Sequence, residues 1–180
     1  MQFSSAQDDS ALLRAAKTDA EAFALLYDRY VQRLYRYCFH RTSNAHDAED
    51  LTSQIFLAAP EAFPRRPRYG HLAAWLFTIA RHKVMDHYRH APGLQLNKSR
   101  VPSVHSDLAG EIESSQQRAA LSRAIQLLAN DEQELIRLRY AAELSFAEIS
   151  RALHKSENAT KKMLYRLLMR LKSQMEAGDE

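Results

Sequence analysis

Five residues near the C-terminal end, Asn158, Lys161, Lys162, Tyr165 and Arg166, recur at steps of three and four. On a helix turning about 100° per residue they share one side. Three cations, an amide and a phenol in one strip suit a polyanion. Lys and Arg meet phosphates and guanine edges, and Asn meets the adenine edge. A second group, Arg65, Arg66, Arg68, Tyr69 and His71, runs into Trp75, Arg81, His82 and Lys83. Aromatic groups interleaved with cations suit single-stranded or melted nucleic acid, whose bases stack while its phosphates pair. A third group has the opposite sign. In HDAEDLTSQIFLAA, Asp47, Glu49 and Asp50 put three carboxylates within four residues. DNA would be repelled by them, whereas a basic protein surface would be drawn.

Catalytic and metal chemistry find little support. His82, Asp86 and His90 repeat at i, i+4 and i+8, a spacing zinc sites use. No HExxH accompanies them, and the adjacent Arg81 and Lys83 oppose a cation. The chain has no Gly-rich phosphate loop and no Gly-x-Ser-x-Gly elbow. Cys38 is the only cysteine, which excludes an intramolecular disulfide and a Cys-rich zinc site. The expectation is a protein that is not an enzyme, with no catalytic residue, no metal and no cofactor.

Charge is segregated. Between residues 62 and 106 lie Arg65, Arg66, Arg68, Arg81, Lys83, Arg89, Lys98 and Arg100 against one acid, Asp86. That is a local +7 in a chain of net +3, so the middle and the remainder suit different partners. With 46% apolar residues, a packed core is attainable. No basic leader precedes an apolar run, and no window reaches the roughly 18 apolar residues of a membrane span. A cytoplasmic protein without membrane insertion is expected.

The elements that position these groups read as helices. Only four Gly and five Pro interrupt 180 residues. A short helix is expected from Asp9 to Lys17. A second, opened by a Thr18–Glu21 capping box, runs to Arg41. The third carries the acidic stretch behind a cap at Ser43 or Asn44, and the fourth spans His71 to His90. Residues 92–110 hold Pro92 and Pro102 and few large apolar groups, and read as a linker. Four further helices follow, from Glu111 to Leu128, Asp131 to Ala142, Phe146 to Leu153 and Glu157 to Gln174. Asn130, Ser145 and Ser156 stand where N-caps belong. In LSFAEISRALHKSENATKKMLYRLLMRLK, Ser145 and Glu148 form a capping box, and Leu144 and Ile149 fit its hydrophobic staple. A short helix, a tight turn near His154 and a second helix from Ser156 make a helix-turn-helix. Thr160, Met163, Leu164, Leu167, Leu168 and Leu171 form that helix's inner face, and Trp75, Leu76 and Ile79 also fit a core. The fold class is all-α, with two small helical domains (1–91 and 111–180) joined by the linker.

AHDAEDLTSQIFLAA, then AAWLFTIARHKVMDHYR, then the helix-turn-helix resemble the extracytoplasmic-function group of bacterial RNA polymerase sigma factors. The resemblance covers about Asp9 to Lys172. It implies a factor that binds core RNA polymerase and directs promoter recognition, DNA melting and transcription initiation. In such a protein Asp47, Asp50, Leu51, Gln54 and Leu57 would face the clamp helices of the largest subunit, and the C-terminal domain would face the polymerase flap. Arg65, Arg66, Arg68, Tyr69 and His71 would lie in the loop that captures a flipped minus-ten base. Trp75, Arg81, His82 and Lys83 would flank the melted strand. Ser156, Asn158, Lys161, Lys162, Tyr165 and Arg166 would face the minus-thirty-five duplex. An anti-sigma partner is common in such a family, and nothing in the sequence identifies one. The chain departs from the family pattern at Ser53 and Gln54, usually Gln and Glu, and at His82, usually Asn. Ala129 and Gln133 replace Pro and Arg, and His154 and Asn158 stand where Gly is frequent. Two other readings fit fewer of these features: a stand-alone helix-turn-helix regulator, and a sigma-like adaptor that binds polymerase without initiating.

Overall fold

The computed structural model describes residues 6–62, 72–90 and 111–176. Arg65, Arg66, Arg68, Tyr69, His71 and the expected linker 92–110 lie outside them. Among the described residues the chain is all helix. The first half holds α1 (Ala6–Ala15), α2 (Ala20–Thr42), α3 (Ala45–Ala62) and α4 (Leu72–His90). The second holds α5 (Glu111–Gln126), α6 (Asn130–Ile136), a π-helical turn (Arg137–Ala141), α7 (Phe146–Ala152) and α8 (Glu157–Glu176).

Local chemistry sets most boundaries. Asp19, not Thr18, caps α2: its carboxylate accepts from the Glu21 N–H at 2.9 Å. The two residues compete for one end, and a carboxylate one position closer meets the orphan donor and the helix dipole together. Ser43 closes α2 in the left-handed region at φ 54°, and Asn44 Oδ1 then accepts from the His46 N–H at 2.9 Å to open α3. Ala129 occupies the cap of α6 in place of the expected Asn130. Ala has no acceptor, so only the return half of a capping box forms: the Ala129 N–H donates to Glu132 Oε2 at 3.1 Å. The helix expected through Ala142 instead widens into the π-helical turn, and Glu143 follows at φ 54°. Ser145 and Glu148 close a full capping box at 2.7 and 3.3 Å.

The helices bury one face each. Leu26, Tyr30, Leu34, Tyr37 and Cys38 of α2 are buried against Ala48, Leu51, Ile55 and Phe56 of α3 and Leu76, Phe77 and Val84 of α4. Asp9 accepts from Arg29 and from the Tyr30 hydroxyl, fastening α1 to α2. Leu135, Leu138, Ala142, Leu144, Ile149 and Leu164 belong to this same apolar cluster. The two halves thus share one core. A smaller cluster, Leu128, Leu167 and Leu171, seats α8 beneath α5. Each fully buried Leu contributes about 1.5–3 kcal/mol from area removed from water, so truncating Leu34 or Leu138 to Ala costs about 2–5 kcal/mol.

Candidate nucleic-acid and polymerase interfaces

The acidic helix presents one outward strip. Asp50, Gln54 and Leu57 are exposed, Leu57 at 71%. Asp50 stands 3.1 Å from His46 Nδ1, one helical turn back. Asp47 is partly turned toward α4, with Oδ2 3.6 Å from His87 Nε2. Leu51 departs from the expectation: at 2% exposure it is part of the core. It lies on the arc of Ala48 and Ile55, so the helical period points it inward. It seats the helix and leaves Asp50, Gln54 and Leu57 on the outward side.

The fourth helix divides its named residues between two sides. His82 is exposed, while Trp75 and Lys83 are half-buried. Arg81 is turned to the second half of the chain. Its Nη1 donates to the Ala152 carbonyl at 2.9 Å, at the end of α7, and its Nε lies 3.1 Å from Glu134 Oε1. A cation at a helix C-terminus meets both the orphan carbonyls and the negative end of the dipole. In this arrangement Arg81 is engaged within the chain, with its side chain 31% exposed.

Its partner Glu134 is the centre of a junction that sequence reasoning missed. The Tyr37 hydroxyl donates to its Oε1 at 2.7 Å, and Arg41 Nη1 to its Oε2 at 3.0 Å. Arg137 Nη1 stands 3.6 Å away. Burial, and then the Glu134 carboxylate, push the Tyr37 phenol well above its usual range, so it stays a neutral donor. Burial and the adjacent Arg41 push the Arg137 guanidinium down. Farther along α2, Arg33 Nε donates to the Ala142 carbonyl at 2.7 Å, and Arg36 pairs with Glu143 at 2.8 Å. The Ala142 carbonyl follows the π-helical turn, where no further turn of helix receives it. Apart from Arg137, three residues from Glu134, no single-helix pattern signals such pairs, because their members lie about 50 to 110 residues apart.

The helix-turn-helix is complete. α7 ends at Ala152 with Leu153 as its C-cap, and His154 takes the left-handed conformation at φ 55°. The Lys155 N–H then donates to the Ser150 carbonyl at 2.8 Å. His fills a position where Gly is frequent in the resembled family, at a steric cost of about 1 kcal/mol. Ser156 Oγ accepts from the Ala159 N–H at 3.2 Å and caps α8. Thr160, Leu164, Leu167 and Leu171 are buried. Asn158, Lys162, Tyr165 and Arg166 are exposed on the opposite side, together with Ser156. Lys161 is half-buried between Glu157, at 2.7 Å, and the face of Phe146. The expected basic strip is thus brought together, with Lys161 partly engaged within the chain.

Residues 26–91 match Sigma-70 region 2, and residues 118–171 match Sigma-70, region 4. The chain belongs to the sigma-70 family. Within it, several relatives of this sigma chain carry the extracytoplasmic-function (ECF) name. It is 36% identical over 166 residues to the ECF RNA polymerase sigma factor BldN of Streptomyces coelicolor, covering 88% of this chain and 62% of that one. It is also 26% identical over 160 residues to RNA polymerase sigma factor YlaC of Bacillus subtilis, covering 86% and 92%. The chain therefore spans less than two thirds of BldN and nearly all of YlaC. CnrH, solved in complex with the cytosolic domain of CnrY, shares the fold at a TM-score of 0.60 and 24% identity, covering 94% of this chain and 97% of that one. Among the described residues of this sigma chain, no helix is long and apolar enough to cross a membrane.

Proposed function

We propose that the protein is a dissociable, non-catalytic initiation factor of the extracytoplasmic-function type, acting in the cytoplasm. It binds core RNA polymerase and directs promoter recognition, DNA melting and initiation. The observation that carries this reading is the succession of region 2 and region 4 in one chain, each with an exposed face of fitting charge. On α3, Asp50, Gln54 and Leu57 offer an acidic face with an apolar element to the clamp helices. The basic side of α8, Ser156, Asn158, Lys162, Tyr165 and Arg166, offers itself to the minus-thirty-five duplex. The 1–91 and 111–180 division follows the same two regions. Arg65, Arg66, Arg68, Tyr69 and His71 remain the proposed minus-ten loop. A protein that covers the factor in the resting cell, as CnrY accompanies CnrH, is a further proposed partner.

The joined core adds a requirement. The two promoter elements are separated by about 25 base pairs, or roughly 85 Å of duplex. Two halves that share one core cannot reach both. The junction at Glu134 must part on the polymerase, and parting would free Arg81 for the melted strand. Holding both modules on one enzyme then makes the second DNA contact intramolecular, a gain on the order of 10²-fold or more.

Run-off transcription with purified core polymerase on pooled promoter fragments tests this reading. Discrete new transcripts are expected only when the protein is added. Silence with measurable polymerase binding favours the adaptor reading, and silence without binding refutes the proposal. Lys161→Ala with Lys162→Ala should weaken upstream-element binding and flatten its salt dependence by about one unit of slope for each phosphate no longer neutralised.

A further inference from the structure

His40, near the end of α2, is half-buried where the first half of the chain meets the second. It lines a small cavity of about 160 Å³, and every other wall belongs to the second half: Ile125 of α5, Gln133 and Ile136 of α6, and Arg137, Tyr140 and Ala141 of the π-helical turn. The charged groups that act on the imidazole are of one sign. Arg36 lies one turn back on α2 itself, and Arg137 stands across the interface. α5 and α6 turn no acid into the cavity, and Tyr140 is the other titratable group on the π-helical turn that lines it. Glu134 of α6 is turned to Arg41 and Arg81, and Glu143 is paired with Arg36. The contacts of His with carboxylates among the described residues, His46 with Asp50 and His87 with Asp47, both lie within the first half. A neutral imidazole fits such a place. An imidazolium there would be a cation against an apolar wall, between two guanidinium groups. Arg137 is a cation whatever else it meets.

We infer that His40 is an acid-operated release: a proton taken up on its imidazole favours parting of the two halves of the chain. The release works by linkage. While the halves are joined, burial, then Arg137 and then Arg36 hold the imidazole below its usual value. Parting removes Arg137 and the apolar wall, and the imidazole returns toward about 6.5. The parted state therefore binds the proton more tightly, and lowering the pH through about 6.5 favours it. Above that pH the imidazole is neutral in both states and exerts no pull on the interface. One such site shifts the equilibrium by up to about tenfold at about pH 5.5. Parting is a property of the chain alone. Only its consequence, that acid makes both DNA-facing modules available together, rests on the proposed initiation function.

The test is small-angle scattering of the full chain, without polymerase, from about pH 7.5 to about pH 5.5 at fixed ionic strength. Far-ultraviolet circular dichroism on the same samples separates parting from unfolding. The radius of gyration should rise at the acid end while helix content holds. Two variants loosen the interface elsewhere and bring a tenfold shift into view: Glu134→Gln at the junction, and Arg33→Gln, which removes the bond to the Ala142 carbonyl. Both should show a larger acid rise than the unaltered protein. Adding His40→Gln to either should abolish the rise. His40→Lys, a permanent cation, should be expanded already at neutral pH. His90→Gln, at the exposed end of α4, should respond as the unaltered protein does. The readout needs no transcription, so failure of the initiation reading leaves it standing. The inference is overturned by an acid rise that persists in His40→Gln, by a radius independent of pH in both loosened variants, or by expansion that comes only with loss of helix.

Discussion

Replacing Glu134 by Gln keeps the shape of the side chain and removes the negative charge that Arg41 and Arg81 share. The carboxylate is 7% exposed and serves Arg41, Arg81 and the Tyr37 hydroxyl. Breaking a buried ion pair from one side costs about 3–5 kcal/mol, mostly because the opposite charge is left uncompensated. Here three like charges remain. Arg81 is a third exposed and can turn to water, which places the expected loss near the lower end, about 3 kcal/mol. Urea unfolding at neutral pH, read by far-ultraviolet circular dichroism and by the single Trp75, measures it. The unaltered protein should unfold in one transition, because its halves share Leu76, Phe77, Leu135 and Leu138 in one cluster. In Glu134→Gln the midpoint should fall, and the halves should begin to separate, seen as a larger radius of gyration in solution scattering. A loss under about 1 kcal/mol with an unchanged radius would mean that the carboxylate is not the counterion of this cluster. The reasoning that the halves are locked through it would then be wrong.

Asp50→Lys should lower affinity for core polymerase while leaving duplex binding by the isolated protein intact, measured by competition for core enzyme and by electrophoretic shift. His154→Gly should raise stability by about 0.5–1 kcal/mol in urea titration, since Gly enters the left-handed region without the steric penalty His carries at φ 55°. Burial, followed by Arg137 and Arg36, pushes the His40 imidazole below 6.5. The unfolded chain therefore takes up this proton first. The contribution of His40 to stability is complete above about pH 6.5 and is lost as pH falls toward the lowered value, so His40→Gln should flatten that part of the pH–stability curve. Burial pushes the Cys38 thiol up to about 12. A disulfide reagent at about pH 8 should therefore label it at the rate of unfolding, and fast labelling of the folded protein would contradict its placement between α2 and α3.

Much of the fold is written in short-range chemistry. The Ser145–Glu148 box and the inner face of α8 depend on spacings of three and four residues, which the sequence displays directly. Ends where two capping residues compete are less legible. Thr18 and Asp19 both accept hydrogen bonds, and only the chain's path decides between them. At α6 the strong capper Asn130 yields to Ala129, because Glu132 satisfies the helix start from within. The π-helical turn at 137–141 has no sequence signature. It accommodates Arg33 and the left-handed Glu143, partners decided by tertiary packing. In the candidate interfaces, the exposed strips of α3 and α8 follow from periodicity. The inward turn of Leu51 also follows from it, once Ala48 and Ile55 are placed in the core. Arg81 is different. Its side chain has two chemically equal destinations, a phosphate strand or the end of another helix, and composition does not separate them. Tyr37, Arg41, Glu134 and Arg137 are ordinary residues one by one, and their convergence exists only in three dimensions.

The long sequence reach of the junction also sets a timetable for synthesis. Tyr37 and Arg41 wait for Glu134, 97 and 93 residues downstream, and Arg81 waits for Ala152, 71 residues on. At about 5–20 residues per second, the interval from Arg81 to Ala152 lasts roughly 4–14 s. Throughout it, α1 to α4 can assemble on the ribosome with the apolar seat of Leu138 and Ile149 empty and the arginines of the junction facing solvent. The nascent first half is thus, for several seconds, an open module that shows Arg41 and Arg81 beside an unfilled apolar seat. Whatever meets it in that interval competes with its own C-terminal half.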